Sequence, residues 1–195
     1  MLNIVDYLSE SELLTVLDKY NAFDIKAHGK KVSIYALCLL DSLHPHYEFK
    51  EEERNLLHYS AILHDIGNFI NKQNHHKHTK YIILKEPLLD NLPRDLRDYL
   101  AFIASGHGKS FDVALGISPN KEKDTILKLI SILRIADALD HKHNLGVTLE
   151  KIEIRNLTLN IHINGEVSNL ILKRIKKKSC LFSKIYNLPI CVKCT

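Results

Sequence analysis

A histidine and an aspartate, His64 and Asp65, lie side by side in a long apolar run. Because leucines and isoleucines flank them on both sides, a helix through this run is apolar on nearly every face, and we expect its middle to be buried. A buried carboxylate without a partner is unfavourable by on the order of several kcal/mol unless it takes up a proton. Other parts of the chain must therefore supply groups that compensate this pair.

Two further apolar helical patterns each contain an ionisable residue. Val32 and Tyr35 follow His28 at helical spacing, which places His28 on the buried stripe of its helix. Asp137 lies inside a run that is apolar nearly all round. Two neutral imidazoles and two carboxylates that meet can bind one divalent cation, and this mixed nitrogen and oxygen set suits Mn, Fe, Co, Ni or Zn better than Ca.

Each of these polar residues also has a purely structural interpretation. His28 could be a hydrogen-bonded core histidine, and Asp137 could pair with Arg134, three residues earlier on the same helix. The His-Asp pair could mark a helix end, with Gly67 as the C-cap. We favour the cation because three buried helices would otherwise need three unrelated explanations.

The composition is that of an ordinary globular protein, with 195 residues, 45% of them hydrophobic and 26% charged. This length allows one well-buried domain and a small appendage.

No apolar run approaches the roughly 18 residues of a membrane span, and the N-terminus does not resemble a secretory signal, so we expect a cytoplasmic protein without membrane contact. The four cysteines do not form a disulfide framework in a chain of this size. The net charge of +4 slightly favours anionic ligands.

The hydrophobic periodicity divides the chain into two regions. Residues 1–145 read as successive helices, with Pro, Gly and Asn in the connections. From residue 146 onward, two alternating segments rich in β-branched residues precede another helix and a last short strand. We therefore predict a mainly α fold, a helical bundle over residues 1–145 with a small β-β-α-β appendage over residues 146–195.

The order His, then His-Asp, then Asp, each on a buried helix, resembles the HD-domain metal-dependent phosphohydrolases. The stretches "HDIGNFINKQNHHKHTKYII" and "LRIADALDH" look like the C-terminal HD-type domain of exopolyphosphatase and guanosine pentaphosphate phosphatase proteins. The resemblance extends from "HGKKVSIYAL" into the β-rich end of the chain. The actin-like half of those proteins, to which their polyphosphate hydrolysis belongs, has no counterpart in this sequence. That activity is therefore not carried over.

The resemblance implies a site for one or two divalent cations, Mn, Fe, Co, Ni, Zn or Mg. Its metal ligands would be His28, His64, Asp65 and Asp137. His78 and His107 best match the additional histidines that hold a second metal or a substrate phosphate in dinuclear relatives. The "HHKH" run could instead be a solvated, His-rich loop, and its alignment is ambiguous by a residue or two.

Such a cation would lower the pKa of a bound water and stabilise charge that develops on phosphorus. Asp65 would orient the attacking water, while His107 and Lys109 would neutralise the phosphate or protonate the leaving oxygen. His76, Lys30 and Arg134 are further candidates for phosphate contacts. For the lysines and the arginine, ordinary solvation is the alternative.

The sequence thus predicts a phosphohydrolase that uses metal-activated water on a nucleotide or related small phosphate compound. The alternative is a non-catalytic binding or regulatory module for polyphosphate or guanosine tetra- or pentaphosphate. A nucleic-acid partner is disfavoured because aromatic residues do not interleave with basic ones. We expect the basic run Lys173–Lys178 to be a solvated face, separable from the site. A homodimer stays open.

Overall fold

The computed structural model of the protein describes residues 1–108, 121–140, 147–165 and 169–194. Within these ranges the chain forms seven α-helices and one three-stranded sheet, which confirms the predicted mainly α fold with a small appendage. The helices are α1 (Glu10–Lys19), α2 (Ile25–Leu43), α3 (Glu51–Leu63), α4 (His75–Lys85), α5 (Arg94–Ser105), α6 (Lys121–Leu139) and α7 (Asn169–Tyr186). The strands are β1 (Thr148–Arg155), β2 (Thr158–Asn164) and β3 (Ile190–Cys194).

The centre of the bundle is formed by α2, α3 and α6, which pack against one another. Residues 129–140, the second half of α6 and its end, are all buried, as the continuous apolar pattern of this segment predicts. On α2 the buried residues recur at helical spacing and include Val32, Ala36 and Leu39. The polar residues on these helices are therefore held inside a tightly packed core.

Two glycines allow the elements of the core to approach closely. A Cβ at Gly29 would lie 2.7 Å from the carbonyl oxygen of Ile62, so α2 packs directly on the end of α3. A Cβ at Gly67 would lie 2.0 Å from the carbonyl oxygen of His75. Gly67 is thus not the left-handed C-cap that the sequence allowed. It lies in a 3-10 helix, Ile66–Phe69, and its lack of a side chain lets α4 begin beside Asp65.

The appendage is a β-hairpin followed by a helical crossover. β1 pairs antiparallel with β2, and β2 pairs parallel with β3 through the connection that contains α7. α7 packs along α6, and the hydroxyl of Tyr35 on α2 donates to the carbonyl oxygen of Val147 at 2.6 Å. The appendage is therefore joined to the two helices that carry His28 and Asp137.

The hairpin turn contains an unfavourable residue. Asn156 and Leu157 have φ values of 51° and 55°, a left-handed conformation that Asn tolerates but that is costly for Leu. The side chain of Leu157 is exposed and adds little packing. We expect Leu157→Gly to raise the free energy of unfolding by about 0.5–1 kcal/mol, since glycine removes the conformational cost. Urea denaturation compared with Leu157→Ala, which retains a Cβ, tests this. Equal stability of the two variants would contradict it.

No α-helix in the described ranges combines the length and the apolar character that crossing a lipid bilayer requires.

Candidate metal centre

Four imidazole rings surround the carboxylate of Asp65. His28 lies on α2, His64 follows the last residue of α3, His75 begins α4 and His107 follows α5. Their Nε2 atoms lie 3.8, 3.6, 3.2 and 3.3 Å from the nearest Asp65 oxygen, in that order. Four separate elements therefore converge on one carboxylate.

The opposite nitrogen of each of these rings makes a hydrogen bond that points away from the centre. The partners of Nδ1 are Asp140 Oδ2 for His28 at 2.8 Å, and backbone oxygens for the rest: Ala61 for His64 at 2.8 Å, Lys72 for His75 at 3.0 Å and Ala104 for His107 at 2.7 Å. Because these oxygens only accept, each Nδ1 carries the proton. In a neutral ring Nε2 then presents its lone pair to the centre, as in histidines that bind metals.

Asp137 closes the other side of the cluster. Its Oδ1 lies 3.7 Å from Nε2 of His28 and 4.0 Å from Nε2 of His64. The structure thus brings together the four residues His28, His64, Asp65 and Asp137 that the sequence singled out. Nε2 of His64 is fully buried and has no hydrogen-bond partner among the described residues. A divalent cation fits this donor set, because buried lone pairs and carboxylates on all sides need a positive charge between them.

His75 and His107 form a second group with Asp65. Their Nε2 atoms lie only 2.7 Å apart, and Nδ1 of each ring already donates to a carbonyl oxygen. Two neutral rings in this arrangement would direct two lone pairs at each other. A cation or a shared proton relieves that repulsion, so the donor set of this group also suits a cation.

The electrostatics of the centre favour a cation. Burial raises the pKa of Asp65, but the neighbouring His64 and the close contacts with His107 and His75 hold it well below its usual range. Burial opposes the charge on His28, yet the nearby carboxylate of Asp137 and the hydrogen bond to Asp140 raise its pKa to about 9. By contrast, burial lowers the pKa of His64 to about 3. The centre therefore combines ionised carboxylates with an imidazole that stays neutral at physiological pH.

The remaining candidates from the sequence take different places. His76 lies beside His75 and His107, with ring centroids 5.9 and 6.5 Å away, and burial lowers its pKa to about 4. No hydrogen bond or ion pair connects His78 to the cluster in the described part of the chain. His75 is the member of the His-rich run whose ring contacts Asp65.

The three basic residues that the sequence suggested as phosphate contacts also differ in their positions. Lys30 is exposed on α2. Arg134 is buried, and its Nη1 donates to the carbonyl oxygens of Gly106 and Gly108 at 2.9 and 2.6 Å. This contact fixes the turn that carries His107. Lys109 lies outside the described residues.

Three contacts of the site were not predicted. Asp140 orients His28 and in turn accepts from Lys31 Nζ at 3.1 Å. Its only sequence signal is that it follows Asp137 by three residues, directly after the last residue of α6. Lys178 on α7 donates to Asp137 Oδ2. The expectation that the whole basic run is separate from the site is therefore wrong for Lys178.

A second polar row lies elsewhere between α1, α2 and α3. Ser33 Oγ is 2.6 Å from His58 Nδ1, and His58 Nε2 is 3.2 Å from Glu10 Oε2. This order matches a Ser-His-acid triad. Ser33, however, is buried in the interior of α2, where a substrate could not reach its hydroxyl. We assign the row to helix packing.

Comparison with known families confirms the relation to the C-terminal domain of exopolyphosphatase and guanosine pentaphosphate phosphatase proteins. The model of the family described as Ppx/GppA phosphatase, domain III, matches residues 13–176, which is most of the chain and includes every residue of the cluster. A comparison with curated proteins gives no match.

Proposed function

The chain belongs to the Ppx/GppA phosphatase domain III family, and from this premise we propose that it is a metal-dependent phosphohydrolase of the HD type. Its substrate would be a phosphate ester or anhydride of a nucleotide or related small phosphate compound. The family itself indicates a role related to polyphosphate or guanosine polyphosphate. The observation that carries the proposal is the convergence of four Nε2 atoms and the Asp137 carboxylate around Asp65.

His28, His64, Asp65 and Asp137 would hold the first cation, and Asp65, His75 and His107 would hold the second. Mn, Fe, Co, Ni and Zn suit this mixed set of imidazoles and carboxylates. When bound, the cation supplies a Lewis acid that acidifies water and neutralises charge at phosphorus. Each proposed histidine ligand is held in its Nδ1–H form by a bond from outside the cluster, which fixes the ring and its lone pair.

Residues of the chain would orient the attacking water and transfer protons. Asp65 is central because its Oδ1 faces His64, His75 and His107 while its Oδ2 faces His28. From that position its carboxylate can orient the attacking water and accept its proton. If the second cation is absent, His107 Nε2 would be the group that passes a proton to the leaving oxygen, and the Arg134 contacts hold its turn in place for that role. Lys109 stays a candidate for the same role from its place in the sequence.

A binding or regulatory module for polyphosphate or a guanosine polyphosphate is the second candidate. One observation favours it specifically: Lys178 and Arg174 bring positive charge to Asp137 from α7. Such charge can bind polyphosphate electrostatically, without hydrolysing it. Binding of these compounds without turnover would distinguish this module from the enzyme.

Phosphate release tests the proposed function directly. Protein loaded in turn with Mn²⁺, Co²⁺, Ni²⁺, Zn²⁺ or Mg²⁺ is incubated with mononucleotides, guanosine tetra- and pentaphosphate and polyphosphate. We expect release from at least one compound at a rate that chelation reduces to background. Saturable binding without release under every metal would favour the binding module instead.

A further inference from the structure

The basic run on α7 divides between two faces of the helix. Lys173, Lys176 and Lys177 are exposed, as a solvated run predicts. Arg174 and Lys178, which are four residues apart and therefore share a face, are partly buried. This face belongs to the helix that packs along α6, the carrier of Asp137.

Lys178 reaches the candidate metal centre itself. Its side chain is only 11% exposed, and Nζ contacts Asp137 Oδ2, whereas Asp137 Oδ1 faces His28 and His64. The other two N–H groups of the ammonium have no acceptor among the described residues. They are therefore available to a ligand that lies against the centre.

Arg174 adds a second positive charge near the same carboxylate. It lies one helical turn before Lys178 on the partly buried face of α7, and the nearby Asp137 carboxylate counteracts the lowering of its pKa by burial. No hydrogen bond of Arg174 to another described residue competes for its donors. Arg134, in contrast, uses Nη1 on the carbonyl oxygens of Gly106 and Gly108. The cations on α7 are thus better placed than Arg134 to meet a substrate.

We propose that Lys178 and Arg174 bind a phosphate group of the substrate beside the metal centre, so that the appendage forms one wall of the active site. This inference rests on the proposed function. An ammonium and a guanidinium that have free donors at partly buried positions are groups that bind phosphate oxygens well. Because Lys178 also contacts Asp137, it connects the carboxylate to the phosphate that it binds.

The test measures binding without turnover. Titration calorimetry of imidodiphosphate, a pyrophosphate analogue with a bridging nitrogen, is carried out on Mn²⁺-loaded protein. Lys178→Gln and Arg174→Gln should each weaken binding at least about 10-fold, since each removes a charge-assisted hydrogen bond. Lys178→Arg should restore most of the affinity. The matched controls Lys176→Gln and Lys177→Gln, on the exposed face of the same run, should bind like wild type.

Two outcomes would overturn the inference. One is that Lys178→Gln and Arg174→Gln bind imidodiphosphate as tightly as the controls. The other is that Lys178→Gln loses its Mn²⁺, because Lys178 would then serve only to hold Asp137.

Steady-state kinetics separate this inference from the proposed function. If wild type releases phosphate and Lys178→Gln has the KM of the controls, the inference fails while the enzyme stands. If wild type releases no phosphate but Lys178→Gln still loses affinity for imidodiphosphate, the anion site stands and the hydrolysis proposal fails. Absence of imidodiphosphate binding by wild type would contradict the anion site, whatever the phosphate-release assay shows.

Discussion

Replacing Asp65 with Asn is expected to remove bound metal and to reduce phosphate release by at least about 100-fold. The carboxylate is shared by both candidate metal groups, and four imidazole nitrogens lie within 3.8 Å of it. A neutral amide is a poor ligand and cannot accept a proton from water. The fold should survive, because Asn has nearly the same size and its introduction removes a buried negative charge together with the cation.

The measurement combines turnover, metal content and circular dichroism. Asp41→Asn is the matched control, since Asp41 lies on the same helix as His28 but is exposed and pairs with Arg54. It should retain both metal and activity. A folded Asp65→Asn protein with near-normal turnover would refute the catalytic role of the cluster.

Removal of the metal is expected to lower the thermal midpoint of unfolding by roughly 8–16 °C. A ligand present at about 1,000 times its Kd stabilises the native state by about 4 kcal/mol, and each kcal/mol moves the midpoint of a chain of this size by about 2–4 °C. The loss should be large because Asp65 and Asp137 would stay buried without their cation. Scanning calorimetry of metal-loaded and chelator-treated protein measures it.

Asp65→Asn provides the control for this experiment, since a variant that binds no metal should not respond to the chelator. The same midpoint for wild type with and without chelator would mean that no tightly bound cation stabilises the core. A shift of equal size in Asp65→Asn would place the stabilising cation elsewhere in the protein.

The fold and the four central residues could be predicted because a buried polar group leaves a clear signal in an apolar helix. His28, His64, Asp65 and Asp137 each interrupt an apolar pattern, and the protein brings all four together. The change from helical periodicity to alternation marked the appendage in the same way. These signals are local, so the sequence alone carries them.

The histidine that joins the cluster after the His-Asp pair could not be predicted. Three histidines lie within four positions, and the one that faces Asp65 depends on where α4 begins. The helix starts at His75 after a left-handed Asn74, and helix ends are the least certain part of a sequence-based assignment. Successive side chains of an α-helix point in directions about 100° apart. An error of one residue in the helical register therefore turns a different histidine toward Asp65.

Lys178 and Asp140 make contacts between separate helices, and the hydrophobic periodicity of a sequence does not predict such contacts. A basic run on an amphipathic helix is ordinarily solvated, and only the packing of α7 on α6 brings one of its lysines to Asp137. Asp140 is recognisable as the partner of His28 only when α2 and α6 are side by side. Both contacts are tertiary, between residues 41 and 112 positions apart in the chain.

The central claim is that the histidines and aspartates of this cluster bind metal, and elemental analysis of protein purified without chelator tests it most directly. We predict one to two equivalents of Mn, Fe, Co, Ni or Zn per chain, and a loss of that metal in Asp65→Asn but not in Asp41→Asn. A metal-free protein that also shows no heat of binding when these ions are added would contradict the account.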